Sequence, residues 1–120
     1  TVNLTADTFE QTINANDLVL VDWWASWCGP CRNFAPVFEK AAETHTDIVF
    51  GKIDTDAEQA LAGAANITAI PTLMAFREGV LVFSQPGAMA GPQLEELITA
   101  VRSIDMAQVH AEIAAQNSQS

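Results

Sequence analysis

The sequence lacks the features that define several large classes of protein. No apolar run approaches the roughly 20 residues that a membrane-spanning helix needs, and Asp22 interrupts the longest run, Leu18 to Trp24. Basic residues are scarce: five lysines and arginines stand against fifteen aspartates and glutamates, which gives a net charge of −10. Because this charge repels phosphate backbones and anionic lipid, we expect no nucleic-acid partner and no membrane partner.

Cysteine is limited to two residues, Cys28 and Cys31. One pair cannot supply a disulfide framework, an all-cysteine zinc site or a four-thiolate cluster. The two histidines, His45 and His110, are spaced too far from the pair for a compact zinc site, so no metal is expected and both are predicted to be surface residues. Any sulfur chemistry must therefore be done by this one pair.

The sequence shows no basic and apolar leader at Thr1–Leu4, no internal repeat and no nucleotide-binding motif. The missing leader favours a cytoplasmic protein, although a mature secreted chain would look the same. A length of 120 residues fits one ordinary domain, and a composition that is 49% hydrophobic suffices for a core. We predict a domain over residues 1–102 and a partly helical or disordered tail over residues 103–120.

Strand and helix patterns alternate along the first half of the domain, and a hairpin followed by a helix closes it. This order predicts an α/β domain with a mixed sheet. Thr5 is predicted to cap the first helix, and Asp105 with Gln108 could cap a further short helix in the tail. The predicted strands are Val2–Leu4, Leu18–Trp24, Ile48–Asp54, Thr72–Arg77 and Val80–Ser84, and the predicted helices are Asp7–Asn14, Cys31–Thr44, Ala57–Ala64 and Gln93–Arg102.

The segment Trp27-Cys28-Gly29-Pro30-Cys31 lies where a predicted buried strand gives way to an amphipathic helix. The unpaired N–H groups and partial positive charge of a first helical turn stabilise a thiolate, and two cysteines three apart are close enough to form a disulfide. The pattern predicts a reversible dithiol–disulfide centre. The alternatives are half of a zinc site and a passive structural disulfide, although closing so short a loop removes little unfolded-state entropy.

Two charged residues lie within predicted buried strands. Asp22 is costly to bury as an anion, so its pKa should be raised unless a cation compensates; the alternative is an edge or bulge position where Asp22 meets water. Lys52 lies at the corresponding place on the next strand, and the alternative for it is a lysine whose ammonium simply reaches solvent.

Several segments resemble the thioredoxin family, in the same order and at matching separations. The resemblance covers about residues 2–102 and implies the thioredoxin fold, with a central mixed β-sheet flanked by helices on both faces. It also implies the activity of a general protein-disulfide reductase. The segments are Asp22–Cys31 (DWWASWCGPC), Pro36, Ile70-Pro71-Thr72, the turn Phe76–Gly79 (FREG) and Pro86-Gly87-Ala88.

The resemblance implies a role for each site residue. Cys28 would be the exposed nucleophile, and Cys31 the resolving cysteine that releases the substrate. Asp22 would accept a proton from Cys31 through a water, and Lys52 would tune that carboxyl. The Ile70–Pro71 bond would be cis, and the backbone of Ile70 would pair with an extended substrate. The implied docking patch around the sulfur consists of Trp27, Gly29, Pro30, Ile70, Pro71, Gly87 and Ala88; for Trp27, the alternative is a core aromatic.

The resemblance also implies a monomer that acts on disulfide-containing substrate proteins and binds no cofactor. A thioredoxin reductase, a separate flavoprotein that draws on NADPH, would supply the electrons. Two other functions stay open: a disulfide oxidase or isomerase, against which the dipeptide Gly29-Pro30 argues, and a partner-binding module in which the dithiol is incidental. The chain departs from the family pattern at Pro86, at Ala65-Asn66 and in its tail beyond Arg102.

Overall fold

The computed structural model describes residues 1–118, and the strands of this part of the chain form one β-sheet. The strands are β1 (Val2–Asn3), β2 (Leu18–Trp24), β3 (Val49–Asp54), β4 (Thr72–Arg77) and β5 (Val80–Pro86), and the helices are α1 (Phe9–Ala15), α2 (Gly29–Thr44), α3 (Gln59–Ala64), α4 (Gly91–Arg102) and α5 (Met106–Ser118). In space the strands follow the order β1-β3-β2-β4-β5. Strands β1 and β2 run parallel to β3, whereas β4 runs antiparallel to β2 and β5. The predicted α/β fold with a mixed sheet is therefore confirmed.

Helices cover both faces of the sheet. Successive side chains of β2 point to opposite faces and therefore pack in two separate clusters. Phe38 of α2 and Ile98 of α4 belong to the cluster that contains Leu18 and Leu20 of β2. On the other face, Ile13 of α1 and Ala62 of α3 belong to the cluster that contains the odd-numbered positions of β2. A strand that is covered on both faces needs apolar side chains at nearly every position, as the sequence of β2 has. All residues of β2 except Trp24 are buried.

Strand β2 lies at the centre of the sheet and positions the predicted site. Asp22 lies opposite Lys52 of β3 and opposite Leu73 of β4. Helix α2 begins at Gly29 after a short connection from β2, so the two cysteines lie near the carboxyl end of this central strand. The Asp22 side chain points to the face that α2 covers, because it has the same parity as Leu18 and Leu20.

The first helix begins later than the sequence predicts. It starts at Phe9 rather than at Asp7, and its N-cap position is occupied by Thr8, which makes no side-chain capping bond. Thr5 contributes through its main chain, since its carbonyl accepts a 2.9 Å hydrogen bond from the Phe9 N–H. The prediction of Thr5 as the side-chain cap is therefore wrong, because its backbone forms the turn before the helix.

Helices α2 and α4 each begin two residues earlier than predicted, at Gly29 and at Gly91. The bounds of α3 and β5 shift for local reasons. Helix α3 starts at Gln59 rather than at Ala57, because Asp54 Oδ1 accepts hydrogen bonds from the backbone N–H groups of Asp56 (2.9 Å) and Ala57 (3.4 Å) in a turn. Strand β5 extends to Pro86 and is longer than predicted. Proline is tolerated there because β5 is an edge strand, whose outer N–H groups have no ladder partner.

The described part of the tail is helical. Asp105 Oδ1 accepts a 3.2 Å hydrogen bond from the Gln108 N–H at the start of α5, as the sequence suggests, and Met106 is buried. His110 Nε2 lies 3.2 Å from Glu78 Oε1 in the β4–β5 turn. Residues 119 and 120 of the predicted tail lie outside the described residues, and the division at residue 103 remains a prediction. Within residues 1–118 none of the helices has the length and apolar character needed to traverse a bilayer.

Candidate active site

Cys28 and Cys31 form a disulfide at the N-terminus of α2. Cys28 occupies the N-cap position with an extended backbone, and its Sγ accepts a 3.2 Å hydrogen bond from the Cys31 N–H. One of the N–H groups that a helix start leaves unpaired is therefore directed at the Cys28 sulfur. The same donor and the helix dipole would stabilise a thiolate at Cys28 after reduction.

The connection between β2 and α2 fixes the sulfur in this position. The Cys28 N–H donates to the Ala25 carbonyl (3.2 Å), and Arg32 Nη1 donates to the Ser26 carbonyl (2.9 Å). The guanidinium of Arg32 therefore holds the loop. Pro30 lies in the first turn of α2, where its missing N–H costs no helical hydrogen bond.

The two cysteines differ in their surroundings more than in their exposure. Cys28 is 4% exposed and Cys31 is 3% exposed, so the expectation that Cys28 is an exposed residue is not met in the disulfide form. Both cysteines pack with Ala25 and with the side chains of Trp24 and Ile70. Only Cys31 lines the cavity that leads to Asp22.

Asp22 is fully buried, and neither of its carboxylate oxygens has a hydrogen-bond partner among the described residues. Burial raises the pKa of Asp22 to about 7, the nearby Lys52 ammonium opposes this shift, and the Glu39 carboxylate adds to it. The alternative in which Asp22 meets water at an edge or bulge is wrong, because β2 is paired on both sides. A cavity of about 100 Å³ joins Asp22 to Cys31 and is also lined by Trp24 and Lys52.

Lys52 lies next to Asp22 on the neighbouring strand, but no ion pair joins the two side chains in the described part of the protein. The Lys52 Nζ lies 3.9 Å from Glu39 Oε1 and 5.1 Å from the centroid of the Trp24 ring. The side chain of Lys52 is only 17% exposed. Its charge therefore acts on Asp22 across the cavity rather than through direct contact.

The loop before β4 approaches the Cys28 sulfur from the other side. The Ile70–Pro71 peptide bond is cis, as the family resemblance implies, and the Ile70 carbonyl oxygen lies 3.7 Å from Cys28 Sγ. Gly87 follows β5 with φ of +105°, a conformation that favours glycine, and its N–H donates a 2.8 Å hydrogen bond to the Pro71 carbonyl. This bond joins the Gly87 loop to the cis-proline loop, despite the unexpected Pro86 before it.

The predicted docking residues differ in their exposure. Trp27 is 67% exposed, which excludes the alternative of a core aromatic. The bond between Gly87 and Pro71 brings the two loops together beside Cys28. Of the other docking residues, Pro30, Gly87 and Ala88 are exposed, Gly29 and Ile70 are half-buried, and Pro71 is buried.

Sequence reasoning missed two acidic residues at the site. Asp56 Oδ2 accepts a 3.0 Å hydrogen bond from Trp27 Nε1, and Glu39 lies beside Lys52. Glu39 carries a usable signal, because it follows Cys31 by eight residues and thus falls on the same face of the predicted helix. The sequence around Asp56 gives only a weak indication of a site residue, because its one notable feature is that it closely follows a buried strand.

Within residues 1–118 no cluster of three or more His, Cys, Asp or Glu side chains could hold a metal ion. His45 Nε2 lies 2.8 Å from Glu95 Oε1 on α4, and His110 Nε2 lies 3.2 Å from Glu78 Oε1. His45 is half-buried and His110 is exposed, and each contacts an exposed glutamate, so the prediction of a surface residue is met in full only at His110. Neither histidine lines the cavity beneath the disulfide.

Comparisons with known proteins give a consistent result. A family model described as "Thioredoxin" matches residues 1–103. A curated relative named "Putative thioredoxin 2", from Streptomyces coelicolor, is 51% identical over 119 residues, covering 99% of this chain and 89% of the relative. A Plasmodium falciparum thioredoxin structure is 36% identical with a TM-score of 0.78, covering 83% of this chain and 98% of its own. A mutant thioredoxin from Halobacterium salinarum is 38% identical with a TM-score of 0.77, covering 82% of this chain and 88% of its own.

Proposed function

This chain belongs to the thioredoxin family, and from that premise we propose that it is a general protein-disulfide reductase with Cys28 as nucleophile and Cys31 as resolving cysteine. It is a thiol-disulfide oxidoreductase that acts by dithiol–disulfide exchange. The observation that carries the assignment of roles is the different placement of the two sulfurs. The Cys28 sulfur lies beside Ile70 at the docking surface, whereas Cys31 faces the cavity above Asp22.

The first step is attack of the Cys28 thiolate on one sulfur of a substrate disulfide. A new disulfide forms between Cys28 and the substrate, and the other substrate sulfur leaves as a thiolate. The N–H of Cys31 supports the attacking thiolate through the hydrogen bond that reaches the Cys28 sulfur at 3.2 Å. This step needs no general base when Cys28 is already ionised.

The second step is attack of Cys31 on the Cys28 sulfur, which releases the second substrate sulfur as a thiolate. Cys31 must lose its proton first, and Asp22 is the acceptor across the cavity that both residues line. A cavity of about 100 Å³ has room for a water that relays the proton. A carboxyl with a pKa of about 7 is half ionised at neutral pH, so it can take up this proton and later release it.

An exposed, largely apolar patch around the sulfur would bind substrate proteins. Trp27, Gly29, Pro30, Gly87 and Ala88 form its rim. Ile70 and Pro71 would offer backbone groups to an extended substrate strand, which gives affinity without selecting side chains. This arrangement fits a reductase that acts on many disulfide-containing proteins.

Regeneration requires two electrons per cycle, which reduce the Cys28–Cys31 disulfide. We assign no bound cofactor to the chain and infer that a thioredoxin reductase, a flavoprotein that uses NADPH, delivers these electrons. The chain would then be a monomeric electron carrier in the cytoplasm, where the surrounding thiol pool keeps protein dithiols reduced.

Trapping the mixed disulfide tests the assignment of roles. Cys31→Ser should accumulate a covalent adduct with a disulfide substrate such as insulin, because no resolving thiol remains, whereas Cys28→Ser should form none. Mass spectrometry without reductant identifies the adduct. Release of substrate by Cys31→Ser at the parent rate would contradict the assignment.

Turnover and redox potential test the overall function. Insulin reduction driven by NADPH and a thioredoxin reductase should require both cysteines, and the measured potential should be near that of reducing members of the family. A strongly oxidising potential would favour an oxidase or isomerase. Partner binding that survives both cysteine substitutions, without any turnover, would favour a binding module.

A further inference from the structure

The Lys52 ammonium lies near two carboxylates that compete for it. Asp22 is its register partner on β2, and Glu39 reaches it from α2. Neighbouring strands lie about 4.8 Å apart, and the flexible four-carbon stem of lysine can reach either acid. The Nζ is 3.9 Å from Glu39 Oε1, while both oxygens of Asp22 lack a hydrogen-bond partner among the described residues.

The helix geometry explains the position of Glu39. Cys31, Ala35 and Glu39 follow one another at intervals of four residues and therefore share one face of α2. Cys31 and Ala35 line the cavity beneath the disulfide, and Glu39 lies one turn further along. The Thr1 hydroxyl donates a 2.7 Å hydrogen bond to Glu39 Oε1, and the Glu39 side chain is 46% exposed. Glu39 is thus a solvated carboxylate beside a nearly buried ammonium.

We propose that Glu39 is a positioning residue, which holds the Lys52 ammonium over the Trp24 ring and thereby keeps it out of a direct ion pair with Asp22. The proposal deepens the proposed function, because it rests on Asp22 acting as the proton acceptor for Cys31. If Lys52 paired directly with Asp22, the ion pair would favour the carboxylate and make Asp22 a weaker base. Held by Glu39, the lysine still compensates part of the buried charge at a distance.

Among the charged groups that face Asp22, Lys52 is the one whose distance from Asp22 depends on a contact with another side chain, that of Glu39. From α2, the facing titratable or charged groups are Cys31, Arg32 and Glu39; from β3, the facing group is Lys52. On β4, the residue opposite Asp22 is the uncharged Leu73. The Arg32 guanidinium is already bonded to the Ser26 carbonyl.

Carbon-13 NMR titration of the Asp22 carboxyl in the oxidised protein provides the test, since it needs no turnover. In Glu39→Gln the lysine is free to move towards Asp22, and we expect the pKa of Asp22 to fall by about one unit, the lower end of the effect of a neighbouring opposite charge. The matched control is Glu43→Gln, which removes an equally charged, exposed residue one turn further along α2. It should leave the pKa of Asp22 unchanged.

A double-substitution cycle separates positioning from simple repulsion between the two acids. In a Lys52→Met background, Glu39→Gln can act only by removing a distant negative charge, so its effect on the pKa of Asp22 should be less than half of the effect in the parent. Equal decreases in both backgrounds, or no decrease in either, would overturn the proposal. Glu39→Ala gives a second variant should the glutamine variant pair with Lys52 through its amide.

Kinetics distinguish a failure of this proposal from a failure of the proposed function. In Glu39→Gln, the pH profile of the resolving step should shift towards acid by the same amount as the pKa of Asp22 falls. If Asp22→Asn resolves as fast as the parent at every pH, Asp22 is not the acceptor and the proposed function needs revision. If Asp22→Asn is slow but Glu39→Gln has the parent profile, the role of Glu39 alone is rejected.

Discussion

The indole of Trp27 is fixed by Asp56: the Trp27 Nε1 donates a 3.0 Å hydrogen bond to Asp56 Oδ2. The bond joins the loop before α2 to the turn after β3, and it holds a side chain that is otherwise 67% exposed. The turn itself is held by Asp54, whose Oδ1 accepts hydrogen bonds from Asp56 and Ala57. An exposed tryptophan next to Cys28 in the chain is thus held by a hydrogen bond from its indole.

Removing the hydrogen bond between Trp27 and Asp56 should weaken substrate binding more than it lowers the catalytic rate. Because a hydrogen bond of this kind contributes about 0.5–1.5 kcal/mol net, Asp56→Ala should raise KM for a protein disulfide by roughly two- to tenfold, with kcat nearly unchanged. Steady-state insulin reduction gives both constants. The control is Asp7→Ala, which removes an exposed aspartate elsewhere on the surface. A fall in kcat with KM unchanged would contradict a role in orienting Trp27 for docking.

Asp22→Asn should slow the resolving step more than the first attack near neutral pH. The amide cannot accept the Cys31 proton, and losing a general base should cost roughly 10²–10⁴-fold in the rate of resolution. Stopped-flow measurement of mixed-disulfide formation and decay separates the two steps. Equal slowing of both steps would remove Asp22 from the mechanism.

The same substitution should alter how stability depends on pH. The raised pKa means that folded protein binds the Asp22 proton more tightly than unfolded protein, so stability falls as pH rises from 3.8 towards 7. The shift corresponds to a cost of about 4 kcal/mol above pH 7, which Asn does not incur. Relative to the parent, Asp22→Asn should therefore gain about 4 kcal/mol in unfolding free energy between pH 3 and pH 8.5.

Urea denaturation of both proteins at the two pH values measures this gain. Any constant cost of burying an unpaired amide cancels in the difference between them. A difference near zero would mean that the Asp22 carboxyl has an ordinary pKa in the folded protein.

A side chain larger than that of glycine at Gly51 of β3 should destabilise the folded protein. A Cβ at this position would lie 2.5 Å from Leu4 Cδ1 and 3.0 Å from Leu4 Cγ, so the leucine must move within the core. Gly51→Ala should destabilise the protein by about 1–3 kcal/mol through overpacking. The control is Gly63→Ala on α3, where a Cβ meets nothing within 4 Å and alanine should stabilise the helix by about 0.5–1 kcal/mol. Thermal unfolding of the two variants should give opposite signs.

The sequence was most informative where one residue conflicts with its local pattern. A carboxylate inside the apolar run of β2 predicts a raised pKa, and the structure places Asp22 without a hydrogen-bond partner among the described residues. Cysteines three apart before an amphipathic helix predict a disulfide at a helix start, and that disulfide is present. Both signals are local, so no knowledge of the packing was needed.

Contacts between distant segments could not be read from the sequence in the same way. The Trp27–Asp56 bond and the Glu39–Lys52 contact depend on how the loop before α2, α2 itself and β3 pack together. Helix starts were also misplaced where turn residues compete for backbone groups, as Thr5 does before α1. Asn66, one of the departures from the family pattern, adopts φ of +58° and so takes the left-handed conformation that asparagine tolerates.

Helix α5 contacts, through His110, the end of β4 that lies away from the disulfide. Its His110 meets Glu78 in the turn after β4, whereas Pro71 beside the disulfide precedes the other end of that strand. Six residues of extended chain span about 20 Å. A bead, dye or fused module attached near His110 would therefore lie away from the disulfide. The protein could then be immobilised while large substrate proteins still reach its dithiol.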